Sequence, residues 1–338
     1  MSKSLLGQFY TKNYEYILSN MSIPEGVKTI VEPFVGNGDL LKFITNTDNY
    51  SIEIYDIEPK ISGTIKRDTI KDPPDYTDKF IITNPPYLAR NKSENKELFN
   101  IYKCNDLYKC FILNLITNIC QGGIIIVPLN FFSSIRKNDI SLRKKFLNTY
   151  YIEIINVFEE RVFDDTSYAV CSISFTRKTK CKKNSIKIYI YPSKKEMNIS
   201  LNTENNYTIG GEIYNIPQNQ KYKITRATKE TKENITNILL KCIDDNNDSQ
   251  LGFKIVSDED IYIDKTEKLS ARSYSTLVIN KSFTLEEQSE LVNRMNVFIK
   301  IQRKKYNSLF LSNYRESNRK RISFSLAFKI CNYIMTTM

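Results

Sequence analysis

Residues Ile81-Ile82-Thr83-Asn84-Pro85-Pro86-Tyr87 are the stretch of this chain best equipped for chemistry. Two isoleucines and a threonine favour a strand, and the prolines that follow stop it, because neither has a backbone N–H to give to a sheet ladder. The chain must leave the sheet there. It does so presenting an Asn amide, two carbonyls without a ladder partner and an aromatic ring at the carboxyl end of a strand, where open α/β sheets bind ligands. Taken alone, the same residues also describe a plain strand-to-loop turn with its Asn as a cap.

A second group lies upstream. Val27 to Val31 is β-branched, and Glu32-Pro33-Phe34-Val35-Gly36-Asn37-Gly38 follows as a turn whose glycines let backbone approach a ligand. Leu40, Leu41 and Ile44 then share one side of a helical pattern. Ser51 to Pro59 reads as a strand ending in acids, and Asp56 stands 20 residues beyond Gly36, the spacing at which a carboxylate can grip a ribose diol. Asp68, after a short third strand, is a further candidate for the same pocket. For either acid the alternative is a solvated strand end.

The elements that must position these groups alternate between strand and helix. Asp106 to Ile119 has the wide apolar face of a helix packed on a sheet, with Gln121-Gly122-Gly123 as its C-cap. Ile124 to Pro128 is a continuous apolar run, as a buried parallel strand would be. Leu142 to Leu147 is helical, Ile152 to Phe158 a strand, and Tyr168 to Phe175 alternates with Ser172 and Ser174 on one face, the pattern of a half-buried strand. The order predicts a doubly wound, mostly parallel α/β sheet with an antiparallel hairpin at its end.

With 338 residues, 41% of them hydrophobic, the chain is comfortable for two domains with real cores. A basic, polar stretch at residues 177–184 sets the boundary, giving domains 1–180 and 181–338. In the second domain the pattern predicts a strand over 185–191, a hairpin over Thr208 to Tyr214 turning on Gly210-Gly211, and helices over Leu285 to Lys305 and Ser323 to Ile334. The seven cysteines lack Cys-x-x-Cys spacing, and no histidine exists, so a disulfide framework, a zinc site and His-dependent triads are all unexpected and no metal is predicted. Neither a signal peptide nor a run of 18 apolar residues is seen, which predicts a cytoplasmic protein without membrane contact.

The formal net charge of +11 favours a polyanionic partner. Residues 1–180 hold 23 Lys+Arg against 21 Asp+Glu, whereas residues 181–338 hold 26 against 17, so the excess lies in the second domain. There Lys300, Arg303, Lys304 and Lys305, then Arg315, Arg319, Lys320 and Arg321, combine bases with Tyr and Asn, residue types that contact phosphates and base edges. The alternative for such runs is a solvated helix end.

Taken together, Gly7-Gln8-Phe9-Tyr10-Thr11, Glu32-Pro33-Phe34-x-Gly36-x-Gly38 and Asn84-Pro85-Pro86-Tyr87 resemble, in that order, the amino-methyltransferases of restriction-modification systems, which methylate N6 of adenine in DNA. The likeness covers about residues 5–177, in the gamma arrangement, with target recognition at the C-terminus. It implies a Rossmann-like, seven-stranded methyltransferase domain followed by a mixed α+β recognition domain. S-adenosylmethionine is the implied cofactor and double-stranded DNA the implied partner. The methionine end would lie against Glu32, Pro33, Gly36 and Gly38 under Gln8, Phe9, Tyr10 and Thr11, with Asp56 on the ribose and Asp68 near either the cofactor adenine or the target amino group. Catalysis would rest on the Asn84 side-chain oxygen and the Pro85 carbonyl accepting the two amino hydrogens, with Pro86 shaping the turn. Tyr87 would stack on the flipped base and Phe163 would face it from the other side. Two departures from the family pattern are Lys12, where Pro is usual, and Glu32 in place of Asp.

The resemblance implies either a type II system with a separate cognate endonuclease or a solitary, even viral, modification enzyme, as a monomer or weak dimer. Other readings stay open: an RNA adenine or protein-glutamine methyltransferase, or an inactive DNA-binding subunit. Only about 25 residues precede the glycine-turn strand, which disfavours the glutamine-modifying relatives with their leading helical domain, and intact Asn84 to Tyr87 disfavour the inactive subunit.

Overall fold

The computed structural model describes residues 7, 9–164, 166, 168–179, 185–244, 250–264, 273–313 and 319–338. The chain divides into two compact units, Met1–Leu201 and Asn202–Met338.

The first unit is built on one sheet. Its strands are β1 (Thr29–Glu32), β2 (Ser51–Asp56), β3 (Ile65–Lys66), β4 (Phe80–Thr83), β5 (Gly122–Pro128), β6 (Tyr150–Phe158), β7 (Val170–Arg177), β8 (Ser185–Tyr191) and β9 (Lys195–Ser200), ordered β3-β2-β1-β4-β5-β7-β6-β8-β9. The β1, β2, β3, β4 and β5 pairings are parallel, whereas β7 runs antiparallel to both β5 and β6. This is the Rossmann-like α/β fold expected. The seven expected strands are β1 to β7, and β8 and β9 extend the sheet by pairing parallel to β6 and antiparallel to each other. The unit therefore runs through Leu201, beyond the expected boundary at 180/181, because the segment after the basic stretch finds a sheet edge to join.

Three local expectations differ. The pattern of Leu40, Leu41 and Ile44 makes only a 3-10 helix, Asp39–Phe43. The helix predicted over 106–119 spans Leu107–Thr117, and Gly122-Gly123 do not cap it but open β5. A Cβ on Gly122 would lie 2.6 Å from the Phe175 carbonyl oxygen, and one on Gly123 2.5 Å from that of Ile81, so glycine is required by the close approach of neighbouring strands. Finally, β7 is buried on both faces from Val170 to Phe175. The Ser172 hydroxyl donates to the Ile17 carbonyl (2.6 Å), and the Asn156 amide donates to the Ile17 and Ser19 carbonyls, so the N-terminal segment covers the face that alternation assigns to solvent.

The second unit carries an antiparallel sheet, β10 (Ile224–Arg226), β13 (Tyr274–Ile279), β11 (Ile235–Lys241) and β12 (Gly252–Ile255) in that order, and a short hairpin of β14 (Ser312–Asn313) with β15 (Lys320–Arg321). Helix Leu285–Lys305 starts on a capping box, with Thr284 and Glu287 satisfying each other's backbone N–H, and Ser323 caps Phe324–Thr336. The hairpin expected at Gly210-Gly211 is instead a 3-10 helix, Gly211–Asn215, entered through a left-handed Gly210. A Cβ on Gly211 would lie 1.9 Å from the Asn205 carbonyl oxygen, which keeps the turn compact. No described helix is long and apolar enough to cross a membrane.

Candidate active site

The chain order runs outward from β1 to β3 on one side and from β4 to β5 on the other, so the carboxyl ends of β1 and β4 part and leave a crevice. Glu32 ends β1 and Thr83 ends β4, and the Thr83 hydroxyl donates to the Glu32 carboxylate across that gap. Glu32 Oε1 also accepts the Phe34 N–H at 3.1 Å. Burial pushes the Glu32 carboxyl up to about 8, against the lowering effect of those two hydrogen bonds. A cation bound beside it would favour the charged carboxylate.

A cavity of about 390 Å³ opens in the crevice. Phe9, Tyr10, Thr11, Glu32, Gly36, Asp56, Asp68 and Asn84, all expected at the site, line it. Gly36 has a left-handed φ of +52°, and a Cβ there would come within 3.1 Å of the Tyr10 ring. Asp56 accepts the Gly36 N–H at 2.9 Å and the Glu58 N–H at 2.8 Å, so it braces the glycine turn, and each of its oxygens keeps capacity for a further hydrogen bond. Asp68 Oδ1 accepts the Ile70 and Lys71 N–H groups, both at 3.1 Å. Pro33 lies behind the wall, its carbonyl holding the Thr69 hydroxyl at 2.9 Å, and Gly38 shapes the 3-10 helix that follows with a left-handed φ of +78°. Gln8 lies outside the described residues.

The Asn84 amide is oriented by what surrounds it. Its Nδ2 donates to the Phe9 carbonyl (2.8 Å) and to Thr11 Oγ1 (3.1 Å), and since a carbonyl can only accept, Oδ1 is the atom left facing away. The Tyr87 hydroxyl reaches that Oδ1 at 2.5 Å and the Ile126 carbonyl at 2.9 Å. Among the described residues no donor reaches the Pro85 carbonyl. The turn is tied down by the Tyr87 N–H, which donates to the Gly7 carbonyl at 2.9 Å. Gly7 has φ of +69°, and a Cβ there would meet the Tyr87 carbonyl oxygen at 2.7 Å. Pro86 lines the cavity.

The rings assigned to base stacking are both buried, Tyr87 at 4% and Phe163 at 3% exposure. The Phe9 ring packs against each, with centroids 5.6 Å from Tyr87 and 6.3 Å from Phe163 and tilts of 32° and 29°. Lys12, the departure from the family pattern, forms an ion pair of 2.7 Å with Asp164 beside Phe163.

Several contributors escape a reading of sequence alone. Thr83 and Gly7 belong to stretches singled out in the sequence, but their partners, Glu32 and Tyr87, are distant in the chain and their contacts are not readable from it. Asn114, on an otherwise apolar helix face, donates to the Thr69 and Ile70 carbonyls and fixes the loop after Asp68. A polar residue interrupting that face was the available signal.

In the second unit, Lys300, Lys304 and Lys305 are exposed. Arg303 instead forms a bidentate pair with Asp244 (2.9 and 2.8 Å), Arg319 donates to the Asp244 carbonyl, and buried Lys320 donates to Asn313. Arg321 lies half-buried in β15, and Arg315 is outside the described residues.

Residues 44–163 match the family described as Eco57I restriction-modification methylase. The match contains Asp56, Asp68, Asn84 to Tyr87 and Phe163, and bears out the expected kinship with restriction-modification methylases over that segment. S-adenosylmethionine is the methyl donor of such a domain, and the buried Glu32 carboxyl, the Gly36 cradle and the cavity fit a sulfonium nucleoside. No curated protein matches the chain. Among solved structures, a modification subunit of a putative type I restriction enzyme from Vibrio vulnificus YJ016 is similar at 17% identity over 54% of this chain and 47% of its own, with a TM-score of 0.40. The methyltransferase subunit of a type I system from Streptococcus thermophilus is similar at 16% over 54% and 47%, TM-score 0.38. A putative class I S-adenosylmethionine-dependent methyltransferase from Listeria monocytogenes stands at 13% over 52% and 61%, TM-score 0.39. The alignments span about half the length of the first two structures.

Proposed function

From the premise that residues 44–163 are a restriction-modification methylase segment, we propose that this chain transfers a methyl group from S-adenosylmethionine to N6 of an adenine flipped out of duplex DNA. The observation that carries this reading is the orientation of Asn84. With Nδ2 held by Phe9 and Thr11, the side chain offers Oδ1 as acceptor, and the Pro85 carbonyl, which no donor reaches among the described residues, would be the second. Two acceptors at one turn suit a group with two N–H donors, which is what an exocyclic amine is. Accepting both hydrogens draws the nitrogen lone pair out of conjugation and aims it at the donor. Fixed dipoles of this kind act where charge develops, without reorganising.

The bound cofactor supplies an electrophilic methyl on a sulfonium. Glu32, Gly36 and Asp56 would bind and orient it, with Asp56 accepting from the ribose hydroxyls and Asp68 near its adenine. Tyr87 and Phe163 would hold the target ring between them, and Phe9, which packs on both rings here, would yield that space. The second unit would serve recognition, with Lys300, Lys304 and Lys305 its exposed phosphate contacts.

The test is methyl transfer from labelled S-adenosylmethionine to unmethylated duplex DNA, followed by digestion to nucleosides. N6-methyladenosine of the deoxy series is the expected product. Label appearing only in RNA or protein, or at cytosine, would overturn the assignment.

A further inference from the structure

We infer that a basic concavity beside the Asn84 turn seats the sugar-phosphate backbone next to the flipped nucleotide, giving the methyltransferase unit its own DNA contact. This rests on the proposed DNA substrate. The concavity is lined by Arg90, Lys103, Lys109, Arg136, Lys137 and Lys145, with Asp139 the one acid among its lining residues. Asp139 is already neutralised, because Lys109 Nζ lies 2.6 Å from it and the Ser134 hydroxyl donates to its other oxygen, also at 2.6 Å. The other five cations are exposed, and among the described residues none of them pairs with a carboxylate.

Overall composition hides this feature. Residues 1–180 are nearly balanced in charge, but residues 101–150 carry seven Lys+Arg against two Asp+Glu, and the fold gathers most of those cations into one place. Five unpaired like charges repel one another, so the arrangement disfavours the isolated fold and favours a polyanion across it. Topology puts the concavity at the reacting edge. Arg90 follows Tyr87 by three residues, and its N–H donates to the Asn105 carbonyl at 2.9 Å, which ties the Asn84 loop to the start of helix Leu107–Thr117. Lys137 begins the second helix after the carboxyl end of β5, beyond the short helix Asn130–Ser133. A single anion would engage one or two of these groups, whereas successive phosphates engage them together.

The test uses the full chain with Lys103, Arg136 and Lys137 all changed to alanine, a short fluorescent duplex, and anisotropy titrations between about 50 and 200 mM salt. Each lost phosphate contact lowers the slope of log affinity against log salt by about 0.9, so the slope is expected to fall by roughly 2 to 3. Lys28→Ala, at the opposite edge of the sheet, should leave the slope unchanged, and thermal melts check folding. In methyl transfer the variant should show a KM for DNA raised on the order of tenfold at unchanged kcat, since charge neutralisation there removes attraction that is screened by salt. A wild-type slope in the variant, wild-type protein without salt-dependent duplex binding, or inorganic phosphate competing as well as duplex at equal phosphate would each overturn the inference. DNA methylation by wild type together with an unchanged variant slope removes this surface alone. A reduced slope without any methylation of DNA by wild type retains the surface and removes the substrate assignment.

Discussion

The Tyr87 hydroxyl stands 2.5 Å from Asn84 Oδ1 and 2.9 Å from the Ile126 carbonyl, with one proton to share between two acceptors. When an amino group takes Oδ1, that proton can turn to Ile126 and leave nothing unsatisfied. Tyr87→Phe removes this alternative and exposes the buried Ile126 acceptor to a loss of about 1–3 kcal/mol in stability. Its ring remains, so turnover should stay within about tenfold of wild type. Tyr87→Ala removes the ring as well, and should cost about 3–5 kcal/mol and a further hundredfold in turnover. Denaturant melts with single-turnover methylation separate the two; equal loss of turnover in both would show that the hydroxyl, not the ring, carries the role.

Asn84→Ala should bind S-adenosylmethionine within about threefold of wild type and lose about two to three orders of magnitude in turnover, the scale seen when one preorganised polar group is removed. Asn84→Asp is expected to be no better. Its second oxygen would face the Phe9 carbonyl, so the substitution trades a hydrogen bond of 2.8 Å for repulsion. Calorimetric cofactor titration beside rate measurement checks both, and a near-wild-type rate in either removes Asn84 from the chemistry.

The parts of this site that are legible in sequence are those whose physics is local. Two prolines end β4 and two glycines bend the chain after β1 wherever they occur, so Asn84 and Gly36 can be placed without coordinates. What is hidden depends on distant partners. Gly122-Gly123 look like a helix end, yet they are needed because strands β4 and β7 come too close for a side chain. Ser172 alternates as though it faced water, but the Ile17 carbonyl is there. Charge is the least readable property of all: Arg303 and Lys320 read as free cations and are held by Asp244 and Asn313, while the concave cluster around Lys137 comes from a segment whose domain is nearly neutral overall.

Lys109 and Asp139 form an ion pair of 2.6 Å with side chains only 10% and 7% exposed. Burial pushes the Asp139 carboxyl up, but Lys109 and the hydrogen bonds from Lys109 and Ser134 outweigh it, so the group lies below its ordinary value. Lys109→Met leaves Asp139 buried without its counter-charge and should cost about 3–5 kcal/mol. Combining it with Asp139→Asn should recover a large part of that loss, because the uncompensated charge is then gone. Denaturant unfolding of the two single variants and the pair measures the coupling; additive losses would show that the two residues do not act together.

Glu32 makes the stability of the cofactor-free protein depend on pH. Its carboxyl ionises at about 8 in the folded chain against an ordinary value of 4.5, because burial disfavours the charge. Between those values the folded state keeps a proton that the unfolded state has released. The stabilisation is therefore complete below about 4.5 and is lost as pH rises through about 8, at up to about 1.4 kcal/mol per pH unit. Glu32→Gln, which is neutral throughout, should flatten this dependence and melt higher than wild type at pH 8.5. The cationic methyl donor should act oppositely on wild type, since its charge favours the carboxylate: its affinity should rise from pH 6.5 to 8.5 with release of a proton on binding. Calorimetry in buffers of different ionisation enthalpy measures that proton, and its absence, or the same pH dependence in Glu32→Gln, would assign the effect to another group.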